Sequence, residues 1–250
     1  MLRFLRTIRK HLLVDRKFTK YLLYAIGEIL LVVIGILMAL QIDTWNEERT
    51  LRKKERLYLQ EIRTNLYDDR DNVHFSIAFN HKKDSTINTC LNTMLTAASD
   101  GDAMAEISRN MPVLAEYSVF TQNRVAFDNM LSAENIDLIS DHALRTRLST
   151  YYSEENLLEG TQERVKQMTR IFVDNITPML MTREVIQYHF GVESNFASGN
   201  DLNFTTNRVL FGDLFGMQRN IESHIIYLKG YEKIIDSLLV DIDQFLLQED

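Results

Sequence analysis

The chain has 250 residues, of which 45% are hydrophobic, with 35 acidic against 28 basic side chains and a net charge of −7. That length suits one anchor and one domain of ordinary size, and that composition excludes a disordered or collagen-like chain. An acidic surface repels phosphates, which excludes nucleic acid as the main partner. Two prolines and nine glycines favour long helices over a turn-rich β fold. Cys90 is the single cysteine, so neither an intramolecular disulfide nor a cysteine zinc cluster is available.

Charge is unevenly placed. Residues 1–20 carry seven Lys/Arg and one Asp, with Leu5, Ile8 and Leu12 at helical spacing among them. This is the pattern of a basic amphipathic helix on an anionic membrane surface, and it serves equally as a topology signal.

Residues 21–42, YLLYAIGEILLVVIGILMALQI, follow. At 1.5 Å per residue they make a helix of about 33 Å, enough to cross a bilayer's hydrocarbon core. Tyr21 and Tyr24 stand at one end and Trp45 just past the other, where amphipathic rings prefer the headgroup level. The apolar run is too long for a secretory h-region and no A-x-A cleavage site follows, so the anchor is expected to be retained. Seven basic residues precede the span. Those beyond it (Arg49, Arg52, Lys53, Lys54 and Arg56) come after Asp43, Glu47 and Glu48. The positive-inside rule then predicts a cytoplasmic N-terminus and an exported C-terminal domain.

The string KFTKYLLYAIGEILLVVIGILMALQIDTWNEER closely resembles the opening of a family of uncharacterised bacterial membrane proteins, a domain of unknown function. The resemblance rests on Lys17–Tyr21, Ala25–Glu28, Val33–Ile36, Ala39–Ile42 and Trp45–Glu47, with a looser similarity over Ala126–Tyr152. It implies a single-pass inner-membrane protein with an exported, periplasmic helical domain, and it supplies no activity.

No Gly or Pro occurs between Ile36 and Asp100. Leu59, Ile62, Leu66, Val73, Ile77, Ile87, Leu91 and Met94 fall at heptad-like spacing, which predicts one long amphipathic helix leaving the bilayer. Its seam is interrupted at Asn80–Asp84, where it is expected either to open or to kink. Ser99–Asp102 reads as a turn, residues 104–120 as a short helix and a connection around Pro112, and Thr121–Ser132 as a helix using Val125, Phe127 and Leu131. Asp141 is a good N-cap for a long helix with the seam Leu144, Leu148, Tyr151, Leu158, Val165, Met168, Phe172 and Ile176. Residues 183–212 are the least regular part, and Phe190–Gly191 with the Asn/Ser/Gly-rich run to Asn207 reads as a long loop. A last helix, about Leu214–Leu247, carries Ile221, Ile225, Leu228, Ile235, Leu239, Ile242 and Leu246, with aspartates opposite.

Such helices cannot bury their stripes alone. The expected fold is all-α: an N-terminal transmembrane helix continuing into an elongated antiparallel helical bundle. The divisions are 1–20 (basic cytoplasmic segment), 21–42 (transmembrane helix) and 43–250 (exported bundle).

Chemistry-bearing motifs are sparse. No E-x-x-H pair, Walker loop, dinucleotide fingerprint or G-x-S-x-G is present. His74 and His81, with Asp71 and Asp84, are the nearest approach to a metal set, and solvated helix surface is the better reading. Glu154, Glu155 and Glu159 read as ordinary surface. The chain is therefore expected to be non-enzymatic and to need no cofactor.

Glu28 stands apart, because an ionisable group inside a span is costly unless it faces protein, water or a partner. Glu28, Gly35, Ala39, Ile42 and Tyr24 share one helix face, and a carboxyl on a strip of small residues suits a packed transmembrane interface. The expected partners are the lipid bilayer and either a second copy or another membrane protein. The expected function is a structural, sensory or regulatory component of a membrane complex. The alternative is an accessory subunit of a proton-driven membrane assembly using Glu28.

Overall fold

A computed structural model describes residues 18–153, 157–199 and 203–248. The basic segment is read over residues 1–20, of which 1–17 lie outside the described residues, as do Glu154 and Glu155. Every regular element described is helical. The elements are α1 (Phe18–Thr96), α2 (Asp100–Leu114), α3 (Val125–Ser132), a single 3-10 turn (Ile136–Leu138), α4 (His142–Ser153), α5 (Leu157–Leu180), α6 (Arg183–Phe190) and α7 (Arg208–Gln248). The chain divides into two compact units, Met1–Leu57 and Tyr58–Asp250.

In the first unit, α1 is apolar over residues 21–42 and, apart from Ala25, exposed there. The stretch from Tyr21 contains an 18-residue window of mean hydropathy 2.5, and none of that window is buried in protein. It is the one helix among the described residues that is long and apolar enough to cross a membrane.

The second unit is a bundle whose helix directions follow from cross-helix contacts. Arg63 meets Asp243 at 2.6 Å, Arg70 meets Asp236 at 3.9 Å and His74 meets Glu232 at 2.6 Å, so α1 and α7 are antiparallel. Thr161 pairs with His224 and Asn175 with Asp213, which makes α5 and α7 antiparallel too. Tyr151 reaches Asp69 and Thr169 reaches Lys83, so α4 and α5 both run parallel to α1. The α2–α3 connection descends beside α1, placing Glu116 at Lys83, Ser118 at Asn80 and Asn123 at Asp69.

The apolar core forms two clusters. One joins Leu59, Ile62, Leu66 and Val73 of α1 to Leu144 and Leu148 of α4 and Leu228, Ile235, Leu239 and Ile242 of α7. Phe127 stacks on Tyr152 there, with ring centroids 4.4 Å apart. The other joins Ile87, Cys90, Leu91 and Met94 of α1 to Ile107 of α2, Val165, Phe172 and Ile176 of α5, and Leu214, Met217 and Ile221 of α7. The expected seams of the long helices are thus buried, with Ile77, Met168 and Leu246 only partly so.

Three local expectations need correction. Pro112 lies inside α2, in its last turn, where the helix ends two residues later. Of the Ser99–Asp102 turn, only Ser99 stays outside the helix, as N-cap accepting from Asp102 N at 3.2 Å. The helix expected over Thr121–Ser132 is α3, which starts at Val125, and it buries Ala126, Phe127 and Met130 while Val125 and Leu131 face solvent. That follows from its attachment: Asn123 N donates to Asp69 Oδ1 at 2.7 Å, which fixes how the chain enters the helix. The loop expected from Phe190–Gly191 to Asn207 falls between two helices, and residues 183–190 ahead of it are helical. Thr182 caps α6 through Val185 N, Gly191 ends it in the left-handed conformation at φ 68°, and α7 begins at Arg208. Asp141 is the expected cap of α4, its Oδ1 accepting from Ala143 N at 2.8 Å and Leu144 N at 3.0 Å.

Candidate functional site

Tyr21, Tyr24, Glu28, Gly35, Ala39 and Trp45 all lie exposed on α1. A Cβ added at Gly35 would meet nothing within 4 Å. The shared face of Tyr24, Glu28, Gly35, Ala39 and Ile42 is therefore presented on a single helix, and no second element of the described chain covers it.

The bundle, by contrast, brings together a set of polar side chains that sequence reasoning missed. The 3-and-4 alternation of the α1 seam continues without a break through Asp69, Ser76, Asn80 and Lys83, and all four are buried. The interruption at Asn80–Asp84 does not end the helix or open the seam, because α1 is helical through it and Asn80 and Lys83 stay in register and buried. Strict register was the signal that could have found them, since a side chain at a seam position is buried whatever its polarity.

Each member of this set is held by neutral partners. Lys83 Nζ donates to the Glu116 carbonyl oxygen and, at 2.8 Å, to Thr169 Oγ1. Burial pulls its amine down from the ordinary 10.5 to about 7, against the smaller opposing pull of the Glu116 charge. Asn80 Nδ2 donates to Ser76 O and Ser118 Oγ, while its Oδ1 is buried without a partner among the described residues. His224 Nδ1 lies 2.8 Å from Thr161 Oγ1. That hydroxyl already donates to Leu158 O, so it can only accept from the ring. His224 is thereby fixed as the Nδ1–H tautomer, and its buried Nε2 has no partner among the described residues. Burial, reinforced by the Arg164 charge, pushes its pKa down to about 4.

Asp69 is the acidic member. It accepts from Asn123 N and from the Tyr151 hydroxyl at 2.7 Å each. Burial raises its pKa, although both hydrogen bonds work in the opposite direction. Tyr151 and Tyr152 are held protonated, again chiefly by burial and then by the Asp69 charge.

A cleft of about 250 Å³ lies beside the tyrosines, lined by Phe120, Gln122, Arg124, Glu159 and Gln162 among others. Most of its polar groups are already engaged. Arg124 reaches Asp128 and Tyr152 O, Gln122 reaches Tyr151 O and Tyr231 OH, and Gln162 brackets the Phe120 backbone.

The remaining candidates are dispersed. His74 is paired with Glu232, and among the described residues no group of three or more His, Cys, Asp or Glu could hold a metal ion. Cys90 is buried, and that burial pushes its thiol up to about 11, which makes it a packing residue and not a reactive one.

A family of unknown function, DUF6090, has a model that matches residues 28–162. The chain belongs to that family. No curated protein and no solved structure matches it. The matched part of this DUF6090 chain holds Glu28, Gly35, Ala39 and Trp45 together with Asp69, Asn80, Lys83 and Tyr151. Thr169 and His224, which complete the buried polar set, lie beyond it, as do Lys17–Tyr21 and most of the Ala25–Glu28 motif.

Proposed function

We propose that this DUF6090 protein is a non-enzymatic, single-span inner-membrane protein. The Tyr21–Ile42 stretch crosses the bilayer, the N-terminus is cytoplasmic, and the helical bundle lies outside as a structural, sensory or regulatory part of a membrane complex. The observation that carries this reading is the bare apolar surface of α1, with Leu31 73% and Ile29 64% exposed. Water would penalise that surface at about 25 cal/mol per Å², whereas hydrocarbon accepts it. Alkaline phosphatase and a cytoplasmic-only reporter, each fused after Asp250, test the topology. An active phosphatase is expected, and an active cytoplasmic reporter with a silent phosphatase reverses the orientation.

The exposed Glu28 face supports a second copy as the partner within the bilayer. Gly35 and Ala39 would let two backbones approach, and paired carboxyl groups can exchange hydrogen bonds worth roughly 0.6 to 2 kcal/mol each. Glu28→Gln keeps most of the association, Glu28→Leu weakens it, and Gly35→Leu weakens it further by separating the helices. Energy transfer between labelled copies in bilayers reads the series. Unchanged transfer in all three variants removes self-association and leaves a different membrane protein as the partner of Glu28.

A further inference from the structure

The buried amine of Lys83 sits where α1, the α2–α3 connection and α5 meet, at the level where the apolar positions of α1 give out after Ile77 and resume at Ile87. Its two hydrogen bonds match the neutral amine. A neutral amine has two N–H groups, and Lys83 has two acceptors, the Glu116 carbonyl and Thr169 Oγ1. Thr169 cannot do otherwise, because its own hydrogen is committed to Val165 O at 2.9 Å. An ammonium would bring a third N–H beyond these two bonds, and the buried acceptors without a partner nearest to it in sequence are Asn80 Oδ1 and Asp84 Oδ1, on α1 itself. No ion pair compensates its charge there.

The charged groups around it are few. On α1, Asp84 and the exposed Lys82 flank it in sequence with His81 two residues before, and the buried Asp84 Oδ1 has no hydrogen-bond partner among the described residues. On the α2–α3 connection, Glu116 is exposed and acts on it through its charge. On α5, Lys166 is turned to Glu163 at the surface. On α7, His224 is buried as a neutral ring.

We propose that the Lys83 contact is a proton-controlled joint of the bundle: the neutral amine lets the α2–α3 connection and α5 close on α1, and protonation loosens that closure. Opening exposes the Nζ lone pair to water, where it takes up a proton. Closing requires that proton to be given back or held at a cost in the core. The device belongs to the bundle alone and does not depend on where the membrane lies. Aspartate or glutamate opposite Lys83 would have made a pH-indifferent ion pair, and a threonine hydroxyl with a backbone carbonyl does not.

The test is hydrogen exchange of the full chain in lipid nanodiscs between pH 7 and 9.5, corrected for the intrinsic pH dependence of exchange. Amides in residues 114–122 and 163–173 are expected to open about tenfold more for each pH unit lost, levelling off near pH 7 where the closed state also takes the proton. In Lys83→Met the same amides are expected to be flat up to about pH 8.5, above which exposure of the Cys90 thiol favours opening as pH rises, the opposite sign to Lys83. His224 is neutral throughout it, open or closed. The parent protein supplies a second reading that needs no variant, because a ¹⁵N-lysine titration should show one amine with a midpoint near 7. Equal pH dependence in Lys83→Met, no pH dependence in the parent, or titration of every lysine near the ordinary 10.5 overturns the proposal.

Discussion

Phe172→Ala is expected to lower the stability of the bundle by about 3–5 kcal/mol, the usual cost of deleting a fully buried aromatic ring. Phe172 is fully buried, at the centre of the cluster formed by Ile87, Val165, Ile176 and Leu214. The walls of the resulting cavity have little freedom to collapse. α5 is tied to α1 by Lys83–Thr169 on one side of Phe172 and to α7 by Asn175–Asp213, 2.7 Å apart, on the other. Ile171, one residue earlier, is 36% exposed, and Ile171→Ala should cost less than about 1 kcal/mol. Urea denaturation followed by circular dichroism compares the two, with the midpoint falling at constant slope for Phe172→Ala. Equal losses at both positions would mean that the α5 seam does not face the core as described.

That seam was readable from spacing alone, and the reason is physical. In a long helix every third or fourth residue returns to one face, so an apolar stripe with few breakers can be buried in only one way. Ile221 through Ile242 on α7 and Leu59 through Val73 on α1 follow the rule. Short elements do not, because one or two tertiary bonds outweigh their periodicity. α3 turns Val125 and Leu131 to solvent once Asn123 is fastened to Asp69. α6 is brief and none of its residues is fully buried, so its cap at Thr182 and its stop at Gly191 were the signals to weigh in a region that looked irregular. In the first unit, the Glu28 face was legible as a pattern, and no second element of the described chain covers it.

The buried polar set was hidden for the opposite reason. A lysine or asparagine inside a seam looks like the end of the seam when polarity is the guide, whereas register places Asn80 and Lys83 in the core. What makes the position tolerable is equally invisible in sequence. The acceptors for Lys83 come from residues 33 and 86 positions away, and one of them is a backbone carbonyl that any residue would have supplied.

Lys83→Met should change the pH dependence of stability as well as its size. The folded amine holds its proton less tightly than the unfolded one, whose ordinary value is 10.5, with the folded value at about 7. For such a base, the folded state is penalised as pH falls from 10.5 towards 7, and the penalty is complete below that. Stability of the parent therefore climbs with pH from 7, at up to about 1.4 kcal/mol per pH unit. Above about pH 9 the sign reverses, because the buried Cys90 thiol and the Tyr151 and Tyr152 phenols keep their protons in the fold while the unfolded ones lose theirs. The parent should thus show a stability maximum near pH 9. Methionine fills similar space without a charge, and it leaves the Glu116 carbonyl without its donor at a pH-independent cost of about 1–3 kcal/mol. The variant is expected to be the more stable protein at pH 7, with its advantage shrinking by up to about 3 kcal/mol by pH 9.5. Denaturation midpoints of both proteins in matched nanodiscs at pH 7, 8 and 9.5 measure that convergence. Parallel pH profiles would show that Lys83 carries its charge in the folded bundle as it does in water.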